Sequence, residues 1–245
     1  MSEKKFNYES IAKSYAAVVD SKPIHVYYER PCLWSLLPDN LQGLKVLDVG
    51  CGSGWYAEQL LKAGCEITAI DNSPTMIELT QQRVNHRGNF HVIDLVNPLD
   101  CFCDEAFDLI LAPLVIHYIS DWHPLFKEFS RILKQKGSFI FSTHQPLQES
   151  IIFKMENYFE KTIITDYWDG IGEVKFYHHT LHEMSEALFD NGFFIEKILE
   201  PKPLFDLEQI DRDLYLKLCK EPWFLFVRTI KNRSNFSGAT HPTNK

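Results

Sequence analysis

From Lys45 onward, short apolar runs alternate with segments of helical period, the pattern of a parallel sheet crossed by helices. Strands are predicted at Lys45–Val49, Glu66–Ile70, Phe90–Ile93, Phe107–Leu111 and Ser138–Thr143, with two more at Phe193–Leu199 and Trp223–Lys231. Ala57, Leu60, Leu61 and Gly64 recur at i, i+3, i+4 and i+7, and Leu125, Phe129, Ile132 and Leu133 repeat that stripe. Ser73 followed by Pro74 reads as an N-cap with proline at the first helical position, opening a helix that carries Met76 and Leu79. A further helix is predicted over Leu181–Asn191, with Gly192 as its stop.

Two regions break the alternation. Residues 1–40 precede the first strand and are expected to form helices or a cap; residues 144–178 interrupt the sheet with an insertion rich in Phe, Tyr and Trp. Ligands of open α/β sheets bind beyond the carboxyl ends of the strands, so both regions are placed either to cover such a site or to pack locally. Residues 1–233 are read as a single domain and 234–245 as a disordered polar tail.

Composition narrows the partners. With 245 residues, 45% of them hydrophobic, the chain can bury a large core, and a net charge of −8 argues against a nucleic-acid footprint. The N-terminus lacks the apolar core of a signal peptide and no apolar run reaches membrane-spanning length, so a cytoplasmic chain with a small-molecule partner is expected. Six scattered cysteines read as reduced thiols, and no metal is expected, because no nearby His cluster completes a ligand set for the Cys101–Cys103 pair.

The stretch VLDVGCGSGW, Val46–Trp55, runs a strand into three alternate glycines, which lets backbone approach a ligand and offers helix N-terminal amides to it. A dinucleotide fingerprint would need glycine at 55, where Trp55 stands. Asp71, after the second strand, can accept two hydrogen bonds from ribose hydroxyls or cap the next helix. Asp94 and Leu95 follow the third strand, where a side-chain oxygen and a backbone amide can read an adenine edge.

The sequence resembles the class I S-adenosylmethionine-dependent methyltransferases over roughly Tyr8–Lys231, most strongly over Val46–Arg83. The resemblance implies a Rossmann-like, mostly parallel seven-stranded sheet with helices on both faces and an antiparallel last strand. It also implies S-adenosylmethionine as cofactor and S-adenosylhomocysteine as product. Asp48, Gly50, Cys51, Gly52 and Gly54 match positions that line the methionine end, Asp71 with Asn72 the ribose, Met76 the adenine face, and Asp94 and Leu95 the adenine edge. Ala112–His117 match the segment facing methionine and acceptor, and Tyr15 matches a tyrosine over the cofactor.

Methyl transfer from a sulfonium is an in-line displacement, served by positioning and desolvation. A protonated acceptor also needs a base, and His117 is the first candidate and His144 the second, both after strands; His117 serves either as base or as a wall of the pocket. For at least one of His178 and His179 a surface or capping role is expected. Tyr15, Tyr28, Trp55 and Tyr56 could wall the sulfonium. Ala112-Pro113-Leu114-Val115 does not match the motif of nucleic-acid amino-methyltransferases, which leaves a metal-independent enzyme acting on a small molecule, with a non-catalytic cofactor-binding subunit or an NAD-dependent oxidoreductase as alternatives.

Overall fold

The computed structural model describes residues 9, 12–168 and 171–232; the tail expected from 234 and most of the first eleven residues lie outside them. Helix α1 (Ala12–Val19), a π-helical turn (His25–Glu29) and α2 (Arg30–Trp34) precede β1 (Lys45–Val49). Next come α3 (Trp55–Lys62), β2 (Glu66–Asp71), α4 (Pro74–Arg83), β3 (Asn89–Val92), β4 (Phe107–Pro113), a 3-10 turn (Ile116–Tyr118) and α5 (Trp122–Ile132). The chain continues through β5 (Leu133–His144), α6 (Pro146–Ile152), β6 (Ile163–Trp168), β7 (Gly172–Tyr177) and α7 (Leu181–Asp190). It ends with β8 (Phe193–Leu199), α8 (Leu207–Ile210), α9 (Arg212–Leu218) and β9 (Phe224–Lys231).

The main sheet has seven strands in the order β3-β2-β1-β4-β5-β9-β8. β1 to β5 run parallel, and β9 is antiparallel to both β5 and β8. Every strand expected from the sequence is present, and the differences lie at element ends. β5 begins at Leu133, five residues before the apolar run, because its first turn is polar (Lys134–Lys136) and carries a register irregularity against β4. Leu133 therefore belongs to the strand rather than to the helical stripe, and Gly64 lies beyond the end of α3 at φ +88°.

Alternation along the strands divides the core into two layers. Leu47, Val49, Ile110, Phe139 and Phe141 pack with α5 and α7 on one face. Val46, Ile67, Leu109, Leu111, Ile140 and Phe226 pack with α2, α3 and α9 on the other. Asp48 shares the parity of Val46 and so points beneath α3, fully buried.

The aromatic insertion forms α6 and a separate two-stranded hairpin, β6–β7. Ile164, Ile171, Val174 and Phe176 bury themselves against Tyr15 and Val18 of α1 and against Tyr118. Hairpin and α1 thus share a small apolar cluster above the carboxyl edge of the sheet.

Candidate active site

A cleft opens at that carboxyl edge. Its floor is the turn after β1, in which Gly50, Gly52 and Gly54 have φ of +65°, +54° and +83°, a region that L side chains rarely occupy. A Cβ on Gly50 would sit 2.5 Å from Val115 Cγ2, whereas one on Gly52 would meet nothing within 4 Å. Gly52 therefore presents bare backbone to open space. Gly54 plays a different part: it caps α3, and a Cβ there would strike Thr80 at 2.8 Å.

Asp71, at the end of β2, braces this turn. Its Oδ2 accepts the Gly52 amide (3.0 Å) and its Oδ1 accepts the Ser73 amide (2.9 Å). Each oxygen keeps further acceptor capacity, and burial holds its carboxyl above the usual range. Asn72, Met76, Asp94 and Leu95 line the same end of the cleft. Ser73 caps α4 through Met76 N–H at 3.1 Å, which seats Met76 in the wall.

Tyr15, Trp55, Tyr56 and Tyr118 line the opposite walls. The Arg30 guanidinium lies 4.5 Å from the Trp55 ring centroid and donates to Asp20 at 3.1 Å, and Asp20 also pairs with Arg83. Arg83 in turn donates to the Ser53 carbonyl (3.0 Å), so the end of α1 is tied to the glycine turn through α4.

Asp48 lies behind the turn rather than in the wall. It is fully buried, and neither carboxylate oxygen has a hydrogen-bond partner. Burial, reinforced by Asp71, raises its pKa to about 7; the Ala57 amide of the first turn of α3 tempers this without closing a hydrogen bond.

Several sequence expectations need correction. Ala112 is fully buried in β4, paired with Phe141, and Pro113, Leu114 and Val115 take its place at the cleft. Tyr28 is a core residue stacked on Phe224 (5.6 Å) and walls nothing. His117 and His144 lie outside the cleft wall and border a small separate cavity beyond the 3-10 turn. The turn divides the two spaces, with Val115, Tyr118 and Ile119 on the cleft and His117 on the far side.

In that cavity the His117 and His144 rings stack at 4.3 Å, and both His117 nitrogens are buried without partners. Burial, with His144 and His179 nearby, drives the His117 pKa well down, so the ring is neutral. His144 Nδ1–H donates to Glu149 (3.0 Å) and His178 Nδ1–H donates to the same carboxylate (2.5 Å). The second His178 nitrogen faces the Tyr158 carbonyl at 2.9 Å, an acceptor only, so the ring is held doubly protonated. Burial opposes that charge, but Glu149 outweighs it and the His178 pKa shifts upward. Contrary to expectation both His178 and His179 are buried: they follow β7 rather than lying on it, so strand alternation does not separate them.

The sequence reading missed His25, Glu29 and Arg30, all of which line the cleft. The available signal was the interruption of an otherwise apolar run, Val26–Leu37, by two adjacent charges.

The strand order with its antiparallel β9, the glycine turn and the acid at the end of β2 define a Rossmann-like domain of methyltransferase topology. Residues 47–141 match the family described as a methyltransferase domain. Over 143 residues the chain is 32% identical to malonyl-[acyl-carrier protein] O-methyltransferase of Erwinia billingiae, covering 56% of this chain and about half (54%) of that protein. It is 26% identical to an uncharacterized protein of Haemophilus influenzae over 83% of this chain and 87% of that one. The crystal structure of an S-adenosylmethionine-dependent methyltransferase from Mesorhizobium loti superposes with a TM-score of 0.71 at 24% identity, covering 86% of this chain and 99% of that one. Residues 47–141 thus match a methyltransferase domain, and the chain shares the fold of S-adenosylmethionine-dependent methyltransferases. Among the described residues no helix is long and apolar enough to cross a membrane.

Proposed function

We propose that the chain binds S-adenosylmethionine in this cleft and transfers its methyl group to a small or carrier-linked acceptor held beneath the hairpin. One observation carries the reading: a fully buried carboxylate, Asp48, with two unpartnered oxygens directly behind a glycine turn. An unpaired buried charge is costly and calls for a cationic partner. The ammonium group of the cofactor's methionine, seated over the turn in front of Asp48, supplies one across that turn. Gly52 leaves open the space that a side chain would fill, and Asp71 offers paired acceptors to the ribose while holding the turn. Met76 packs on the adenine, whose edge meets Asp94 and Leu95, and Tyr15 covers the cofactor from α1.

When bound, the cofactor supplies an electrophilic methyl group on a sulfonium. The chain's own contribution is to orient it through Asp48 and Asp71, to exclude water with α1 and the hairpin, and to present an acceptor in line. The relatives named for malonyl-[acyl-carrier protein] put a carrier-linked carboxylate among the acceptors to try.

Calorimetric titration with S-adenosylmethionine, S-adenosylhomocysteine and NADH tests the reading. Saturable binding of the first two and not the third is expected; binding of NADH alone, or of none, overturns it.

A further inference from the structure

The π-helical turn His25–Glu29 belongs to the cap over the cleft. Such turns are uncommon and are frequent at functional sites. Here His25 and Glu29 both reach the cleft, while Tyr28 between them packs in the core. Glu29 is 2% exposed, yet it lines the cleft. Tyr56 donates its hydroxyl to Oε2 (3.0 Å) and Ser142 donates to Oε1 (2.8 Å), while Ser142 accepts the Leu114 amide (3.0 Å). These partners stand at the start of α3 and at the carboxyl ends of β5 and β4. In the strand order, β2 with Asp71 and β5 with Ser142 are three steps apart, about 14 Å at ~4.8 Å per step. Glu29 and Asp71 therefore mark opposite ends of the cleft. If the ribose binds Asp71 and the methionine lies over the β1 turn, Glu29 stands past the sulfur, where the methyl group leaves.

We propose that Glu29 is the proton acceptor of the reaction, ionised by the arriving sulfonium and neutralised again as the acceptor gives up its proton. The inference rests on the methyltransferase reading above. The carbon–sulfur bond breaks with its electron pair left on sulfur, the acceptor's electron pair forms the new bond to carbon, and the acceptor's proton passes to a Glu29 oxygen. Such a device suits an acceptor that loses a proton on methylation, a hydroxyl or an N–H group, rather than a carboxylate, which needs no base.

The electrostatics agree. Burial raises the Glu29 pKa to about 7, against the lowering effect of Ser142, Tyr56 and Arg30. The titratable or charged groups facing it are Arg30 and Cys32 of α2 and Tyr56 of α3, with Asp48 of β1 behind Tyr56; β5 contributes the non-titrating Ser142. Burial pushes the Cys32 thiol up to about 12, and Tyr56 well above its usual range, so both stay neutral near pH 7.

The test is proton linkage, measured by titrating S-adenosylmethionine and S-adenosylhomocysteine into the protein at pH 7 in phosphate and in Tris, whose ionisation enthalpies differ. Both ligands carry the ammonium, but only the first carries the sulfonium. The wild type should release a further fraction of a proton with S-adenosylmethionine, since a carboxyl raised to about 7 is partly protonated at that pH. Glu29→Gln, which keeps the shape and one acceptor oxygen but cannot ionise, should lose the difference while still binding S-adenosylhomocysteine. Equal proton release for the two ligands in the wild type, or a difference that persists in Glu29→Gln, overturns the inference. If that variant does not fold, Ser142→Ala serves: with one donor gone Glu29 holds its proton more tightly, and the excess release should be larger at pH 8 than in the wild type; an unchanged excess overturns the inference. Failure of the wild type to bind either ligand would overturn the functional reading instead.

Discussion

Replacing Asp48 by asparagine should strengthen the empty protein and weaken its hold on the cofactor. The carboxyl of Asp48 is raised from 3.8 to about 7, so its ionised form is worse accommodated in the folded chain than in the unfolded one. At ~1.4 kcal/mol per pH unit between those values, the folded state is penalised by on the order of 4 kcal/mol once both states are ionised. Because the folded value is the higher one, stability is fully present below pH 3.8 and is lost as pH rises through 7. Between pH 6 and 8 the unfolded state is ionised throughout while the folded state ionises midway, which amounts to a loss of about 1.4 kcal/mol. Asparagine removes that slope, although its buried amide costs about 1–3 kcal/mol for unmet hydrogen bonds. The net expectation at pH 8 is a gain of about 1–3 kcal/mol. Urea denaturation of both proteins at pH 6 and 8 reads these terms, and calorimetry with S-adenosylhomocysteine reads the loss of the ammonium's partner. Saturating S-adenosylhomocysteine should also suppress Asp48's part of the wild-type slope. A variant that is less stable at pH 8, keeps the wild-type slope and binds the ligand normally would refute the reasoning.

Asp71→Ala should weaken S-adenosylhomocysteine binding by on the order of 1.5–3 kcal/mol, about 10- to 150-fold, and lower the melting temperature because the Gly52 and Ser73 amides lose their acceptor; unchanged affinity by calorimetry rejects the ribose role. Gly52→Val should fold, with about 1–2 kcal/mol of strain at φ +54°, yet bind no cofactor, since its side chain projects into open cleft; circular dichroism with calorimetry checks both halves. His117→Phe should raise stability by about 1 kcal/mol, because two unpartnered ring nitrogens leave the core, and should keep cofactor affinity. If turnover with an identified acceptor vanishes while affinity stays, the base role returns to His117.

The apolar periodicity carried the sheet, because strand alternation and helical stripes are local consequences of which faces are buried. Gly50 and Gly52 were legible for the same reason: a strand running into backbone that needs positive φ leaves few alternatives to glycine. The Ser73-Pro74 start was read from its neighbours alone and stands as expected, while Asp71 stands at the end of β2 and holds the Gly52 and Ser73 amides. Ala112 was misplaced by a short distance in sequence, since pairing with β5 carries β4 on to Pro113, opposite Ser142, and so keeps Ala112 inside the sheet.

His117 and Glu29 mark the boundary between the two kinds of information. The sequence put His117 beside a ligand because it follows a strand; the tertiary structure turned it away, since the 3-10 turn sends Val115 and Tyr118 to one space and His117 to another. Glu29 carried no motif, and its place depends on Ser142, 113 positions along the chain, and on Tyr56. Local chemistry sets which residues can turn, cap or alternate, and these were determined by the sequence itself. Which buried charge faces which cavity is decided by contacts between distant segments, and only the folded chain brings those together.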